Sequence, residues 1–380
     1  MTLRVALVRG PMYDHLYSVF EAAGIDIDVV VHEDHPTLNR RVAELLGTGE
    51  SLDLISTHAK YTPSQSRWLR PLDDLVDPDA VGALAPRALD LCRHEGRLWC
   101  LPRSIDVRVL WTRDDRVDTI PDTWADLDHS SITFGFPGRE SGLFGTFFEL
   151  VDGAGGRLFE PNGSPCIESD EARAAVELLC RLAERAPADL PSWHYDDVDD
   201  ALLDGRLDAA AAWPGAWGPI SRSDIADRLS PHLYPAGPSR RVSYSGCHAW
   251  AVPRTTSDLD GALKLLHRLV GFDAQALDAS GGSICAHTAA LAAVQPIDGT
   301  DRRRIEITRQ TIEQAMITYP PLAAFPEIED SGWSAIHDAM LGRCSPAEAV
   351  ARMQRRAESV LSVHTRPQKT NRGIQPHSQA

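Results

Sequence analysis

The chain is poor in basic residues and has none of the long apolar runs that a membrane helix needs. Its 380 residues include 38 Lys and Arg against 54 Asp and Glu, which gives a formal net charge of −16. This acidity argues against binding to a nucleic-acid backbone, which requires clustered basic side chains. No segment approaches the ~18 uninterrupted apolar residues of a membrane span. The composition therefore favours a globular protein that acts on neither nucleic acid nor membrane.

The first residues also lack the features of a secretory signal. The segment MTLRVALVRGP places Arg4 and Arg9 around only a few apolar residues. A signal peptide has a basic start, a longer apolar run and a small-residue cleavage site. We therefore expect the chain as given to begin its fold almost at once and to lie in the cytoplasm.

Cysteine pairs and several catalytic motifs are absent as well. The seven cysteines are dispersed and include no C-x-x-C pair. An odd, scattered set is more typical of free thiols in a reducing compartment than of a disulfide framework. The sequence also has no P-loop, no H-E-x-x-H, no G-x-S-x-G and no dinucleotide fingerprint. The enzyme classes that depend on these motifs are therefore not indicated.

What the sequence does contain is an alternation of strands and helices. Short strands are predicted from LRVALV, IDIDVVVH and LDLIST, and an amphipathic helix from LNRRVAELLGTGE. Such an alternation predicts a largely parallel sheet, whose ligands lie beyond the carboxyl ends of its strands. A later helix is predicted with an apolar stripe at Ala174, Leu178 and Leu182, and another with Ser345 as its N-cap. A chain of this length is expected to form two lobes.

Four segments occur in an order that resembles one protein family. They are DLISTHAKYTPSQSRWLRPLDDLVD, HEGRLWCLPRSIDVRVLWTRDD with DTWADL, DGRLDAAAAWPGAWG, and a return strand after Gly246. Their order and spacing resemble the family-1 extracellular solute-binding proteins, the maltose-binding-like receptors that deliver solutes to ABC importers. This resemblance implies a location in the periplasm or at the cell surface, in contrast to the cytoplasmic location expected from the missing signal peptide. The resemblance covers roughly residues 3–361. It implies two α/β lobes, each a mostly parallel sheet flanked by helices, that close on a solute about a hinge.

The resemblance also implies limits for the lobes. The first would comprise residues 1–105 and 246–310, and the second residues 106–245 and 311–361. The chain would cross between them near Asp106 and again at Ser245 and Gly246. Residues 362–380 are polar and without periodicity, so we expect them to be a disordered tail.

Candidate ligand-binding residues follow from the same resemblance. A sugar site needs aromatic planes for the apolar faces of the ring, and charged or amide groups for its hydroxyls. The segments that match the cleft of the family supply both kinds of side chain. For each tryptophan, packing in the core is the alternative. The predicted ligand-binding residues are His58, Lys60, Asp106, Arg139, Ser141, Trp213, Trp217, Gly246, His248 and Trp333.

The glycine-rich segment PGRESGLFGTF has two interpretations. Its backbone N–H groups, helped by Arg139 and Ser141, would cradle an anion at the start of a helix. Alternatively, its glycines only satisfy the geometry of a turn. If Lys60, Arg9 and Arg103 also faced the cleft, its charge would be positive and the solute would carry a carboxylate or a phosphate.

Two pairs of residues, Cys247 with His248 and Cys285 with His287, allow three interpretations. Zinc prefers Cys and His ligands, but neighbours on a strand point to opposite faces and chelate poorly. A thiol activated by a histidine or a helix N-terminus would be a nucleophile. In the third interpretation the cysteines pack as small apolar residues beside a hinge glycine.

The sequence thus predicts a monomeric, non-enzymatic solute-binding protein with no cofactor and no metal. Its ligand would be a small polar molecule, a carbohydrate first of all, and its partners would be the membrane subunits of an ABC importer. The alternative is an intracellular protein on the same fold, since some lyases, decarboxylases and thiol-dependent enzymes resemble these receptors. It would then be an enzyme of that kind or a ligand sensor.

Overall fold

The computed structural model describes residues 2–10, 13–22 and 24–364, in which strands and helices alternate along the chain. The strands are β1 (Leu3–Val8), β2 (Ile27–Glu33), β3 (Leu54–His58), β4 (Arg93–His94), β5 (Arg97–Leu98), β6 (Leu101–Asp106), β7 (Val109–Arg113), β8 (Phe134–Gly135), β9 (Ala209–Ala212), β10 (Leu229–His232), β11 (Ser243–Tyr244), β12 (Gly246–Ala251) and β13 (Met316–Ile317). The helices are α1 (Ser18–Ala22), α2 (His35–Gly47), α3 (Thr62–Gln65), α4 (Pro78–Gly82), α5 (Pro86–Leu91), α6 (Trp124–His129), α7 (Glu140–Gly153), α8 (Asp170–Arg185), α9 (Tyr195–Leu203), α10 (Trp217–Ser221), α11 (Leu259–Val270), α12 (Phe272–Ser280), α13 (Thr288–Ala293), α14 (Gly299–Gln314), α15 (Phe325–Met340) and α16 (Pro346–His364).

Two sheets organise the molecule. The first has the order β2-β1-β3-β12-β6, and the second the order β10-β7-β9-β8. We call the parts built on them the first and the second lobe. In the first sheet β1 is parallel to β2 and β3, whereas β12 is antiparallel to β3 and β6. In the second, β7 is antiparallel to both neighbours and only β8 and β9 are parallel.

The prediction of mostly parallel sheets is therefore wrong in detail, because both sheets are mixed. The reason lies in the path of the chain. After the second lobe it returns along β12, which enters the first sheet between β3 and β6 from the opposite direction. A strand that arrives by such a return has no crossover helix to reverse it, so it pairs antiparallel.

Each sheet lies in its own hydrophobic core. In the first lobe β3 is buried along its whole length, and Trp250 of β12 is fully buried beside it. In the second lobe Trp111 of β7 and the phenylalanines of α7 form the centre of the core. Burial of one such side chain contributes roughly 1.5–3 kcal/mol, so each lobe has its own source of stability.

The crossings between the lobes lie side by side. β6 belongs to the first sheet and β7 to the second, and β11 pairs with β13 just before the chain enters β12. A buried ion pair between Arg108 and Glu149 anchors them. The backbone N–H of Arg108 donates to Ser243 Oγ (2.7 Å), and that of Tyr244 donates to Glu149 (2.9 Å). The exact limits of the lobes stay predictions, and the one at residue 310 falls inside α14.

Two helices differ from their sequence patterns. The buried face of α8 consists of Ala172, Ala175, Val176, Leu179 and Leu182, whereas Ala174 of the predicted stripe is exposed. The N-cap of α16 is confirmed, since Ser345 Oγ accepts the N–H of Glu348 at 3.2 Å. That helix continues to His364, so residues 362–364 of the predicted tail are helical. The rest of that tail, residues 365–380, lies outside the described residues.

Among the helices that the structure describes, none combines the length and the apolar character needed to cross a membrane.

Candidate functional site

A cavity of about 520 Å³ lies between the two lobes. The first lobe contributes α2, α3 and the residues that follow α3, and the second contributes the start of α7 and the N-terminal half of α15. The lining residues are Asn39, Arg40, Ala43, Tyr61, Pro63, Ser64, Gln65, Arg67, Trp68, Glu140, Ser141, Ala323, Pro326, Glu327, Glu329, Asp330, Trp333 and His364. Its volume is within the range of pockets that bind small molecules.

Aromatic side chains stand on both walls of this cavity. Trp68 and Tyr61 belong to the first lobe and Trp333 to the second, and all three are partly exposed. The guanidinium of Arg67 lies 4.0 Å from the centre of the Trp68 ring. The indole N–H of Trp333 donates to Asp330 at 3.0 Å, which fixes the plane of that ring. The cavity therefore offers oriented aromatic planes next to polar groups.

An ion pair connects the two lobes at the edge of the cavity. Lys60 follows β3, and its Nζ lies 2.9 Å from both carboxylate oxygens of Glu329 on α15. The two side chains are only 7% and 6% exposed. Burial raises the pKa of Glu329, and the ammonium of Lys60 opposes that rise. This ion pair holds the walls of the cavity together.

Other cations that we expected in the cleft also have carboxylate partners. Besides the ion pair of Lys60, Arg103 donates two hydrogen bonds of 2.7 Å to Asp278, and Arg139 lies 3.4 Å from Glu140. These contacts neutralise three of the four charges on which the expected positive cleft depended. The structure thus gives no support to an anionic solute.

The glycine-rich segment forms the start of α7. An ideal Cβ at Gly145 would overlap the ring of Tyr244, so the glycine permits close packing of α7 against the crossing strand. Ser141 Oγ lies 2.7 Å from the hydroxyl of Tyr195. Glu140, with φ at 54°, places its own carboxylate in the first turn. Since a carboxylate already lies at this N-terminus, the segment is a poor cradle for a second anion.

Three histidines form a cluster behind the cavity. His35 begins α2, His58 ends β3 and His248 lies on β12, where the strand pairing places it opposite His58. The centres of their rings are 5.3 Å apart in all three pairs, and the ring planes are nearly perpendicular. We call these residues the histidine cluster. Tyr61 connects it to the cavity, with its ring 5.7 Å from that of His35.

Several ring nitrogens of the histidine cluster lie within hydrogen-bond distance of other protein groups. The two nitrogens of His58 lie 3.1 Å from the backbone N–H groups of Lys60 and Cys247. Nε2 of His248 lies 3.0 Å from the hydroxyl of Tyr13 and 3.3 Å from the Asp106 carboxylate. Nε2 of His35 and Nδ1 of His248 are buried and have no hydrogen-bond partner among the described residues.

Burial keeps the cluster uncharged. It lowers the pKa of His35 and His58 well below the ordinary value, and the neighbouring imidazoles and Lys60 lower both further. Burial also lowers the pKa of His248 to about 3, with a further contribution from Arg103. The pKa of Asp106 rises to about 7, again because of burial. Within the described residues no three His, Cys, Asp or Glu side chains are arranged to hold a metal ion.

Comparison with known proteins identifies the fold. No family model matches the chain. A solved structure of maltose-bound T. maritima MalE3 is 20% identical, with 95% of this chain and 100% of that one covered and a TM-score of 0.84. An Agrobacterium radiobacter ABC transporter solute-binding protein with ribitol is 18% identical (95% and 98% covered, TM-score 0.84). An Agrobacterium vitis protein of the same kind with D-mannitol is 17% identical (97% and 100% covered, TM-score 0.82).

This chain has the two-lobed solute-binding-protein fold. The predicted two-lobed α/β fold is thereby confirmed, apart from the mixed character of its sheets, and the cavity lies between its two lobes. At these identities the likeness establishes the fold and no more than the fold.

The predicted binding residues separate into two groups on this fold. Ser141 and Trp333 line the cavity, and Lys60 reaches it through its ion pair with Glu329. His58, His248 and Asp106 instead belong to the histidine cluster or contact it. Gly246 lies there too, since an ideal Cβ on it would be 3.0 Å from Nε2 of His58. Arg139 does not line the cavity but pairs with Glu140, which does.

The two tryptophans of the segment WPGAW have different surroundings. Trp213 lies near the cleft, with its ring 6.2 Å from that of Tyr195 and 5.0 Å from that of Tyr244. Trp217 is 5% exposed and stacks on Trp111 in the core of the second lobe, with ring centres 6.0 Å apart. Trp217 is thus a core residue, and we no longer expect it to stack on a ligand.

The sequence analysis missed much of the first-lobe wall of the cavity. Trp68 and Arg67 were part of a segment that carries the family resemblance, and their adjacency was a usable signal. Arg40 reaches the cavity only through the tertiary position of α2, and Tyr61 only through that of the turn before α3. No local pattern indicates such an approach. His35 was missed for the same reason.

The two cysteine–histidine pairs do not form a nucleophilic site. Burial raises the pKa of the Cys285 thiol to about 12, which disfavours the reactive thiolate. His287 is the N-cap of α13, and its Nδ1 accepts the N–H of Ala290 at 3.2 Å. Cys247 is buried in the core of the first lobe, next to Cys92. These contacts favour the interpretation in which the cysteines pack as small apolar residues.

Proposed function

We propose that the chain is a solute-binding protein that closes on a neutral carbohydrate or polyol, held between the lobes, and delivers it to an ABC importer. Three solved structures with this fold contain maltose, ribitol and D-mannitol, which are all neutral polyhydroxy compounds. Closure about the crossing strands would trap the ligand. In this proposal the protein acts as a monomer and catalyses no reaction.

The observation that carries the proposal is the mixed character of the cavity wall. Hydroxyl groups both donate and accept hydrogen bonds, so a polyhydroxy ligand is matched by a wall with both cationic and anionic groups. Aromatic planes at Trp68 and Trp333 suit the apolar faces of a sugar ring. The wall has two arginines, Arg40 and Arg67, and four acidic residues, Glu140, Glu327, Glu329 and Asp330.

The charge of that wall also favours a neutral ligand. Four carboxylates would repel a sugar acid or a sugar phosphate, and the nearest lysine, Lys60, already pairs with Glu329. The likeness to ABC transporter solute-binding proteins does not support our expectation that the chain acts in the cytoplasm.

A thermal-shift screen tests the proposal. The panel contains neutral mono- and disaccharides, polyols, sugar acids and sugar phosphates, and hits are followed by titration calorimetry. A ligand at 100 times its Kd adds about 2.7 kcal/mol to the free energy of unfolding, which is readily detected. We expect hits among the neutral compounds, and we expect Trp333→Ala to reduce the stabilisation at the same ligand concentration to about 1.4 kcal/mol or less. Phe272→Ala, on an exposed side chain outside the cavity, is the matched control and should bind normally.

Two results would contradict the proposal. Hits confined to sugar acids or phosphates would show that the cavity selects anions. A compound that is chemically changed during incubation would favour the alternative of an enzyme on the same fold. Chromatography of the recovered ligand after several hours separates this second case from simple binding.

A further inference from the structure

Three cysteines that are far apart in the sequence meet in the core of the first lobe. Cys92 follows α5, Cys100 lies between β5 and β6, and Cys247 is in β12. Cys92 Sγ and Cys247 Sγ are 4.0 Å apart. Cys100 lies beside Cys92, and its own Sγ is 3.6 Å from Thr62 Oγ1. Cysteines that are dispersed in the sequence therefore form a cluster of thiols in the folded chain.

This contact is buried, whereas the other neighbouring pair, Cys180 and Cys344, is partly exposed. Cys92 and Cys247 are 0% and 1% exposed, whereas Cys166, Cys180 and Cys344 are partly exposed. Cys285 is buried in a separate small group of apolar residues. The two residues are separated by 155 positions, so a bond between them would link α5 to the strand that returns from the second lobe.

We propose that Cys92 and Cys247 form a disulfide when the chain folds under oxidising conditions, and that both remain thiols when it folds under reducing conditions. The 4.0 Å separation must shorten to about 2.05 Å, which requires a shift of about 2 Å shared between two side chains. Each thiol loses a proton, and the pair loses two electrons as the S–S bond forms. A disulfide oxidant such as oxidised glutathione accepts the two electrons and the two protons and becomes two thiols.

Burial determines when this reaction can take place. In the folded chain an oxidant in solution cannot reach either sulfur atom, because the exposure of both residues is close to zero. Burial also raises the pKa of Cys92 well above the ordinary value, and the neighbouring thiols raise it further. The attacking thiolate is therefore scarce in the folded protein. Oxidation thus has to accompany folding, and a chain that has already folded in the reduced form resists it.

The position of the bond connects it to the histidine cluster. The backbone N–H of Cys247 donates to Nε2 of His58 at 3.1 Å, and the next residue is His248. A disulfide at Cys247 would hold β12 to the end of α5 at this point. A chain that folded under oxidising conditions would therefore carry this bond next to the cleft, and a chain that folded under reducing conditions would lack it.

Refolding under two redox conditions tests the proposal. The full chain is denatured, reduced, and refolded either in a buffer of reduced and oxidised glutathione or in dithiothreitol. Free thiols are alkylated, and the products are mapped by mass spectrometry without reduction. We expect a peptide with a Cys92–Cys247 bond only after refolding in glutathione. Folded reduced protein that is exposed to the same buffer for the same time should lack this peptide.

Variants and stability give independent readouts. Cys247→Ser should abolish the cross-linked peptide, while Cys100→Ser and the matched control Cys285→Ser should retain it. The oxidised wild-type protein should melt about 5 °C higher than the reduced one, because closing a long loop stabilises the folded state. Denaturing the oxidised protein, reducing it and refolding it in dithiothreitol should remove this difference, since the buried bond is reached by the reductant only in the unfolded chain.

The proposal is overturned if Cys92 and Cys247 are both alkylated after refolding in glutathione. It is equally overturned if either of them pairs with Cys100. Mapping of the wild-type chain decides between these outcomes by itself, so the test does not depend on correct folding of the serine variants.

Discussion

The cavity and the histidine cluster are neighbours in the cleft, yet the polar side chains of the two regions differ in their exposure and their contacts. In the cavity, Arg67 is exposed and its guanidinium lies over the ring of Trp68, which is partly exposed. In the cluster, the imidazoles are packed against each other and against Tyr13 and Asp106. Polar residues near a cleft are thus of two kinds, those exposed to a ligand and those buried against other protein groups. In the second kind, Nε2 of His35 and Nδ1 of His248 have no hydrogen-bond partner among the described residues.

The ion pair that closes the cavity gives the largest expected effect. Glu329→Gln leaves the ammonium of Lys60 buried without a charged partner. Loss of one partner of a buried ion pair costs about 3–5 kcal/mol, and urea unfolding should show a decrease in stability of this size. Glu327→Gln, on the same helix but on a more exposed side chain, is the matched control and should cost less than about 1 kcal/mol. Equal effects in the two variants would show that the link between the lobes does not stabilise the protein.

The next largest effect is on ligand affinity, which should fall after substitutions in the cavity but not after a substitution in the histidine cluster. Trp68→Ala and Trp333→Ala each remove an aromatic plane of the cavity, and we expect the affinity for the best ligand of the screen to fall roughly 10- to 100-fold. His248→Gln, in the cluster, should change the affinity less than about threefold, since its ring contacts Tyr13 and Asp106. Titration calorimetry measures all three. A large loss of affinity in His248→Gln would instead show that the cluster is part of the binding site, as the sequence analysis expected.

The fold was largely predictable because its signals are local. Alternating strands and helices, the N-cap at Ser345 and the order of the family-like segments all appear in short windows of sequence. What could not be predicted is the antiparallel insertion of β12 between β3 and β6. That pairing joins residues far apart in the chain, and no short pattern specifies the direction in which a strand enters a sheet.

The site was less predictable, because its residues are sorted by tertiary contacts. Trp217 and Trp333 are the same residue type and both lie in helices, but one stacks on Trp111 in the core and the other faces the cavity. His58 was predicted to bind a ligand because of its position after a strand. Its two ring nitrogens in fact face backbone N–H groups. Only the tertiary structure distinguishes a side chain that faces the cavity from one of the same type that contacts other protein groups.

The pH dependence of the free energy of unfolding should reflect the lowered pKa values of the three histidines in the cluster. The pKa values of the three histidines are lowered by folding, so their contribution to stability is complete above about pH 6.5 and is lost as the pH falls below it. Asp106 acts in the opposite sense, because its raised pKa stabilises the fold at low pH and this contribution is lost as the pH rises through about 7. Three histidines outnumber one carboxyl group, so the net contribution of these four groups to stability should fall on acidification.

A single substitution tests this assignment. His35→Gln should reduce the slope of unfolding free energy against pH by about 1 kcal/mol per pH unit between pH 6.5 and 5, as measured by urea unfolding. The matched control is His129→Gln, on an exposed residue outside the cluster. An unchanged slope in His35→Gln would show that this imidazole is protonated in the folded protein.

The smallest expected effect compares two glutamates with the same unusual backbone. Glu140 and Glu95 have φ values of 54° and 51°, a region that asparagine adopts more readily than glutamate. Glu95 lies in the turn between β4 and β5, whereas Glu140 lies in the wall of the cavity. Replacement of either by asparagine should relieve strain and raise the free energy of unfolding by about 0.5 kcal/mol. Only Glu140→Asn should weaken ligand binding, because it removes a carboxylate from the cavity. If Glu140→Asn stabilises the protein as expected but leaves the affinity unchanged, the carboxylate of Glu140 is not part of the binding site.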